Sequence, residues 1–172
     1  MSEQVAIEGP EKLIVRTFDP RDQAEVSRLY VEGLLAGQIA PNDTGADIEN
    51  IHQSYLTDDK NHFWVAELDG KVLGMIGVSH DHEEHTSEIR RLRVERDWQQ
   101  LGIGAKLVET ALTFCRKSGA LKVVLDTQFE RNTAMDLFTR FGFQHNRSKT
   151  HHGKELLEFY LDLYRTKKKE HE

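Results

Sequence analysis

Two glycines two residues apart, where an extended run gives way to a helical one, constrain this chain more than any other feature. The run Ile89-Arg90-Arg91-Leu92-Arg93-Val94 reads as a strand. Gln99-Gln100-Leu101-Gly102-Ile103-Gly104-Ala105-Lys106 follows, and Leu107, Val108, Ala111, Leu112 and Cys115 then recur at helical spacing to about Ser118. Glycine lets backbone approach a ligand closely, and the first turn of a helix leaves amide N–H groups without partners. Those donors lie at the positive end of the helix dipole and suit an anion, typically a phosphate. The Walker pattern is absent, and Ala105 does not supply the third glycine of a dinucleotide fingerprint. A tight turn with no ligand accounts for a lone Gly-x-Gly equally well.

Composition narrows the class. A chain of 172 residues suits one domain, 1–172, with mobile ends expected at 1–11 and 165–172. No apolar run approaches the ~20 residues of a membrane span, and no signal-peptide apolar region opens the chain, so no membrane partner is expected. One cysteine excludes an intramolecular disulfide and fits a reducing cytoplasm. A net charge of −6 argues against a nucleic-acid partner and mildly favours a cationic small substrate.

Taken in order, Lys12 to Phe18 reads as a strand and Asp19-Pro20 as a helix start. Val26, Leu29, Tyr30, Gly33 and Leu34 mark one helix stripe. A second helix is expected from Ala46 to about Leu56, with Ile48, Ile51 and Tyr55 inward. Asp69-Gly70 between alternating runs predicts a hairpin joining His62–Leu68 to Lys71–Ser79. His80 to His85 reads as a polar loop whose three histidines match no standard zinc spacing, so no metal is expected. Strict alternation over Ser87 to Val94 places Glu88, Arg90, Leu92 and Val94 on one face and Ile89, Arg91 and Arg93 on the other. Leu121 to Asp126 reads as a buried parallel strand, Arg131 to Phe141 as a helix, and Phe143–Lys149 with Glu155–Leu163 as a closing hairpin. The sum is an α/β fold, a mixed sheet with helices on both faces. Cys115 falls at a core position and reads as a small hydrophobe, not a nucleophile.

Gln99-x-x-Gly102-x-Gly104 resembles the Gln/Arg-x-x-Gly-x-Gly/Ala loop of the GCN5-related N-acetyltransferase (GNAT) superfamily, in the same strand–loop–helix order. Asn132-Thr133-Ala134, Leu137-Phe138 and Phe141-Gly142-Phe143 are similar to the family's Asn-x-x-Ala, Leu-Tyr and Gly-Phe segments. Ile14 to Phe18 with Asp22 looks like its opening strand and first helix. The likeness spans nearly the whole chain. It implies the acyl-CoA N-acyltransferase fold, a mixed and mostly antiparallel sheet split by a V-shaped opening. It also implies acetyl-CoA as co-substrate, a small-molecule or peptide amine as acceptor, and allows a homodimer. By the same resemblance, backbone from Leu101 through Gly102, Ile103, Gly104 and Ala105 to Lys106, with Gln99 and Gln100, would cradle the pyrophosphate. Leu92, Arg93 and Val94 would pair with the pantetheine arm, a backbone N–H near Val94 would hold the oxyanion, and Asn132 would bond the arm.

The chemistry such a site must perform is clear. An alkyl amine of pKa about 10 has to lose a proton before attacking a thioester. Glu88 matches the strand position of the glutamate base in histone-acetylating members, with Glu83, Glu84 and His85 as alternatives, and a solvated surface acid as the plain reading. Phe138 stands where the family usually carries the tyrosine that protonates the leaving thiolate. A thiol of pKa about 8.5 leaves readily, so acid help is useful and not obligatory; Tyr160 or Thr127 could supply it. Arg96 replaces a frequent proline. Two other functions stay open: an acyl-CoA sensor without turnover, favoured by Phe138, and a nucleotide-binding module, which lacks a Walker lysine and a ribose-binding acid.

Overall fold

A computed structural model describes residues 12–34, 43–127, 133–151 and 154–163. The elements are β1 (Leu13–Thr17), a 3-10 turn (Pro20–Asp22), α1 (Gln23–Glu32), α2 (Ala46–Glu49), α3 (Ile51–Tyr55), β2 (His62–Leu68), β3 (Lys71–Asp81) and β4 (Thr86–Val94). They continue with a 3-10 turn (Arg96–Trp98), α4 (Ile103–Lys117), β5 (Lys122–Thr127), α5 (Thr133–Arg140), β6 (Gln144–His151) and β7 (Lys154–Asp162). The expected hairpin forms where both turn residues adopt positive φ, Asp69 at 50° and Gly70 at 81°. Asp19 caps the first turn: it accepts from the Arg21 N–H, while Asp22 accepts from the Asp19 N–H.

The strands form one seven-stranded sheet in the order β1-β2-β3-β4-β5-β7-β6, antiparallel throughout except for β4 beside β5. Period-two alternation sends β2 residues to two separate cores. Trp64 and Ala66 pack with Leu107, Leu112 and Cys115 of α4; Phe63 and Val65 pack with Val26 and Leu29 of α1 and Ile51 and Tyr55 of α3. Each fully buried Val, Leu, Ile or Phe among them is worth roughly 1.5–3 kcal/mol. The mixed, split sheet with helices on both faces is the expected architecture.

Three expectations need correction. The helix from Ala46 is two short ones, because Asn50 leaves helical geometry at φ −135°, ψ 51°; Ile48, Ile51 and Tyr55 are inward as expected. β3 runs on through His80 and Asp81, so only 82–85 form the turn. The alternation along β4 fails. Between the pairs Gly77↔Arg90 and Met75↔Arg93, two residues, Arg91 and Leu92, oppose the single Ile76. Arg91 absorbs the extra residue at φ 59°. That bulge shifts the phase by one residue, so Leu92 and Val94 join Ile89 in the core under α4. Glu88, Arg90 and Arg93 belong to the opposite face.

Candidate active site

β4 and β5 are paired only from Thr86↔Lys122 to Glu88↔Val124. Beyond that point β4 stays with β3 as far as Val94, and β5 stays with β7 as far as Thr127. The two strands therefore part at Glu88, and each exposes a main-chain edge to the opening between them.

The end of α1 is drawn onto the β4 edge. The Val94 N–H donates to the Gly33 carbonyl at 2.9 Å, and Leu34 bridges Arg93. Gln99 clamps the same spot: its Nε2 donates to the Val94 carbonyl at 3.0 Å and the Leu34 carbonyl at 3.3 Å. The Val94 N–H, expected from the resemblance to hold an oxyanion, is thus bonded to the Gly33 carbonyl within the chain. The Gln99 side chain likewise serves the chain itself, a role the motif alone does not reveal.

The two loop glycines do different work. Gln100 and Gly102 both take positive φ, 66° and 95°, and a Cβ on Gly102 would meet nothing within 4 Å. Gly102 is there for its backbone angle, and the space above it is open. Gly104 has ordinary φ, but a Cβ there would come 3.2 Å from Leu137 Cδ2 of α5. It is there for close packing. The N–H groups of Ile103, Gly104 and Ala105 open the helix, whereas the Lys106 N–H already donates to the Gly102 carbonyl at 3.1 Å. Lys106 therefore leaves the expected set of main-chain donors. Leu101 is exposed at the crest of the loop. An open cleft of about 380 Å³ lies over this helix end, walled by Val94, Gln100, Gly102, Leu137 and Arg140. Arg140 was not singled out from sequence; only the docking of α5 beside α4 brings its charge here.

Phe138 is buried and meets Phe143 edge-on at 5.5 Å, a packing position. Asn132 lies outside the described residues. The Tyr160 hydroxyl donates to Gln144 Oε1 at 3.0 Å. Glu88 stands at the fork itself, its carboxylate 3.8 Å from Arg90 Nε, and shares a shallow depression with His80, Glu84 and Val124. His80 Nδ1 meets Ser87 Oγ at 2.9 Å, and His82 Nε2 pairs with Asp58 at 2.9 Å.

A polar cluster covers the bulge. Arg91 engages Asp47 through Nε (3.0 Å) and Nη2 (2.6 Å) and Asp43 through Nη1 (2.5 Å) and Nη2 (3.0 Å). Tyr55 donates to Asp47 at 2.5 Å. Hydrogen bonds from Arg91 hold the Asp43 carboxyl down at about 2. Burial pushes Asp47 up, but bonds from Arg91 and Tyr55 outweigh it and keep its pKa below the ordinary value. Arg93 is different. Its Nε donates to the Tyr30 carbonyl at 3.0 Å and its Nη1 to the Leu92 carbonyl at 3.1 Å. The Tyr30 ring lies under both arginines, 5.0 Å from Arg91 Cζ and 5.4 Å from Arg93 Cζ.

A strand splitting from its neighbour at the mouth of a Gly-x-Gly helix end is the arrangement the sequence motifs imply. The family model described as the acetyltransferase (GNAT) family matches residues 21–143. The chain belongs to that family. Among curated relatives, it is 39% identical over 103 residues to a probable N-acetyltransferase camello of Xenopus tropicalis, covering 59% of this chain and 47% of that protein. It is 31% identical over 106 residues to an N-acetylaspartate synthetase of Xenopus tropicalis, covering 62% of this chain and 39% of that protein. The chain thus spans less than half the length of these two relatives. A crystal structure of a GNAT-family acetyltransferase from Staphylococcus aureus shares the fold with a TM-score of 0.76 at 18% identity, covering 88% of this chain and 99% of that one. Among the described residues, no helix is long and apolar enough to cross a membrane.

Proposed function

We propose that this GNAT-family chain transfers an acetyl group from acetyl-CoA to an amine by direct attack within one ternary complex. The carrying observation is the fork: β4 and β5 part after Glu88↔Val124, near a Gly-x-Gly helix start whose first N–H groups have no partner within the helix itself. These residues fit the co-substrate. Ile103, Gly104 and Ala105 offer main-chain donors at a helix N-terminus, Gly102 leaves open space above them, and Arg140 lines the cleft together with Asp136, so the main-chain donors carry the anion site. Bound there, acetyl-CoA supplies an activated acetyl thioester.

Residues of the chain then have separate tasks. The polar edge of β4 orients the bound arm. With Val94 committed to Gly33, the oxyanion donor falls to Leu92, since alternation along the strand returns that amide to the same edge. Leu92 lies four residues beyond Glu88, and with one of them absorbed by the Arg91 bulge the separation is roughly 10 Å at the ordinary strand rise. Glu88 therefore takes the amine proton through water. The bond from nitrogen to the acetyl carbon forms, the carbon–sulfur bond breaks, and the sulfur is protonated by solvent because Phe138 has no proton to give.

Of the two relatives named above only one has a name that specifies a product, N-acetylaspartate, and this chain covers 39% of that protein, so its acceptor is not carried over. The test is acetyl-CoA-dependent release of thiol over a panel of amines, beside the melting-temperature rise that acetyl-CoA produces. Gly102→Val forces a β-branched residue to positive φ and fills the space above the helix end, and is expected to abolish both. A parent that binds acetyl-CoA without ever releasing thiol would favour the sensor reading, and a Gly102→Val protein that binds normally would remove the loop from the site.

A further inference from the structure

The end of α1 leaves main-chain carbonyls that no helical N–H can reach, and residues 93–99 collect them. Arg93 Nε donates to the Tyr30 carbonyl at 3.0 Å, the Val94 N–H to the Gly33 carbonyl at 2.9 Å, and Gln99 Nε2 to the Leu34 carbonyl at 3.3 Å. One turn earlier, Arg28 Nη1 reaches the Glu95 carboxylate at 2.6 Å. The approach is too close for a side chain: a Cβ on Gly33 would stand 2.9 Å from the Leu29 carbonyl oxygen and 3.1 Å from that of Val94. α1 belongs to the core on the sheet face away from α4. It is nevertheless bonded straight to the segment that enters the glycine loop.

Gln99 is the contact that belongs to the glycine motif itself. Its side-chain amide serves two carbonyls, Leu34 at the end of α1 and Val94 on β4 at 3.0 Å. The next residue, Gln100, takes φ 66°, and Gly102 follows at 95°. A glutamine adopts positive φ only where its surroundings hold it there. Gln99, extended at φ −72°, ψ 152° and tied at its far end, is the fixed point from which that turn starts. Building on the reading that this loop seats acetyl-CoA, we propose that Gln99 is a positioning residue, through which the end of α1 holds the Gln100–Gly104 loop in its acetyl-CoA-binding geometry. A loop released from that geometry binds more weakly by the fraction of time it is competent, while the bound complex reacts as before. Affinity for the co-substrate is then set in part from α1, although among the described residues none on α1 lines the cleft.

The test reads calorimetric binding of acetyl-CoA, steady-state kinetics over the amine panel and melting temperature on three variants. Gln99→Met keeps the length and the neutral charge of the side chain and loses both donors. It is expected to weaken acetyl-CoA binding and raise KM for acetyl-CoA about tenfold, the order set by two lost neutral hydrogen bonds, with kcat within about twofold of the parent's. Gly33→Ala presses a Cβ onto the Val94 carbonyl without touching the loop, and is expected to weaken acetyl-CoA binding in the same way. Combined with Gln99→Met it is expected to add little, because both act through one contact. Unchanged acetyl-CoA affinity in Gln99→Met would overturn the inference. So would a lower kcat and melting temperature at unchanged KM, the mark of a protein that is only less stable. Additive losses in the double variant would overturn it too, by separating Gln99 from α1. Where Gln99→Met does not fold, the affinity of Gly33→Ala decides: weaker binding sustains the inference and parental binding ends it. A parent that binds acetyl-CoA and acetylates no amine would sink the transfer reading and leave the affinity comparison to decide this one; a parent that binds no acetyl-CoA would end both.

Discussion

The two faces of β4 are built on opposite principles. Toward α4, Ile89, Leu92 and Val94 enter a core with Leu107, Val108 and Leu112, where contact is non-directional and any neighbour of similar volume serves. Toward α1 and α3, Arg91 and Arg93 are fixed atom by atom, by carboxylates in one case and by carbonyls and a ring in the other. The bulge at Arg91 separates the two regimes. It lets one short strand keep its apolar residues in register with a helix while turning two guanidinium groups to the other side. The polar face is specific because it is intolerant: remove one member and the others are left charged and poorly hydrated.

That contrast can be broken most forcefully at Arg91. Arg91→Ala strands Asp43 and Asp47 and is expected to cost about 3–5 kcal/mol in chemical denaturation, since Arg91 retains only 11% of its side-chain exposure. On the apolar face, Leu107→Ala is expected to cost about 3 kcal/mol by cavity formation. Acid separates the two. The folded Asp43 pKa of about 2 lies below the ordinary 3.8, and Asp47 is shifted the same way. Their contribution is therefore complete above about pH 4 and is lost as pH falls toward 2. Between those values the Arg91→Ala penalty should shrink while the Leu107→Ala penalty holds; parallel curves would show that the aspartates do not carry the polar face.

Smaller effects sharpen the comparison at the fork. Glu88→Gln is expected to lower kcat at least tenfold and flatten the acidic limb of the pH–rate profile, with acetyl-CoA affinity near the parent's. A variant of unchanged rate and profile would return Glu88 to the solvated surface and send the search for a base to Glu84 and His85. Phe138→Tyr should have the smallest effect. It adds a hydroxyl beside Phe143 in a buried site, for a cost of about 1 kcal/mol in stability and no change in rate at any pH. A faster enzyme at low pH would show instead that the hydroxyl reaches the leaving sulfur.

Much of this architecture is legible in the residues. The Asp69-Gly70 turn, the inward stripe of α4 and the strand–loop–helix order all follow from periodicity and turn chemistry, which are local. The face assignment of Leu92 and Val94 is not, because a bulge is a relation between two strands and Ile76 gives no hint of it in its own neighbourhood. The hydrogen bond of the Val94 amide is hidden for the same kind of reason: its partner, Gly33, is sixty-one positions away. Motif spacing located the Gly-x-Gly helix start, while Arg140 and the Gln99 clamp depend on contacts that only the packed elements create.

Cys115 has a practical consequence. It is the chain's one cysteine, it is fully buried on α4, and burial pushes its thiol up to about 11. At neutral pH such a group presents almost no thiolate to a reagent. A thiol-reactive dye added to folded protein therefore stays dark until something else supplies a sulfhydryl, so product can be counted without correcting for the protein. Under partial denaturation the same residue becomes a stopwatch: its rate of labelling follows how often α4 lifts from the sheet.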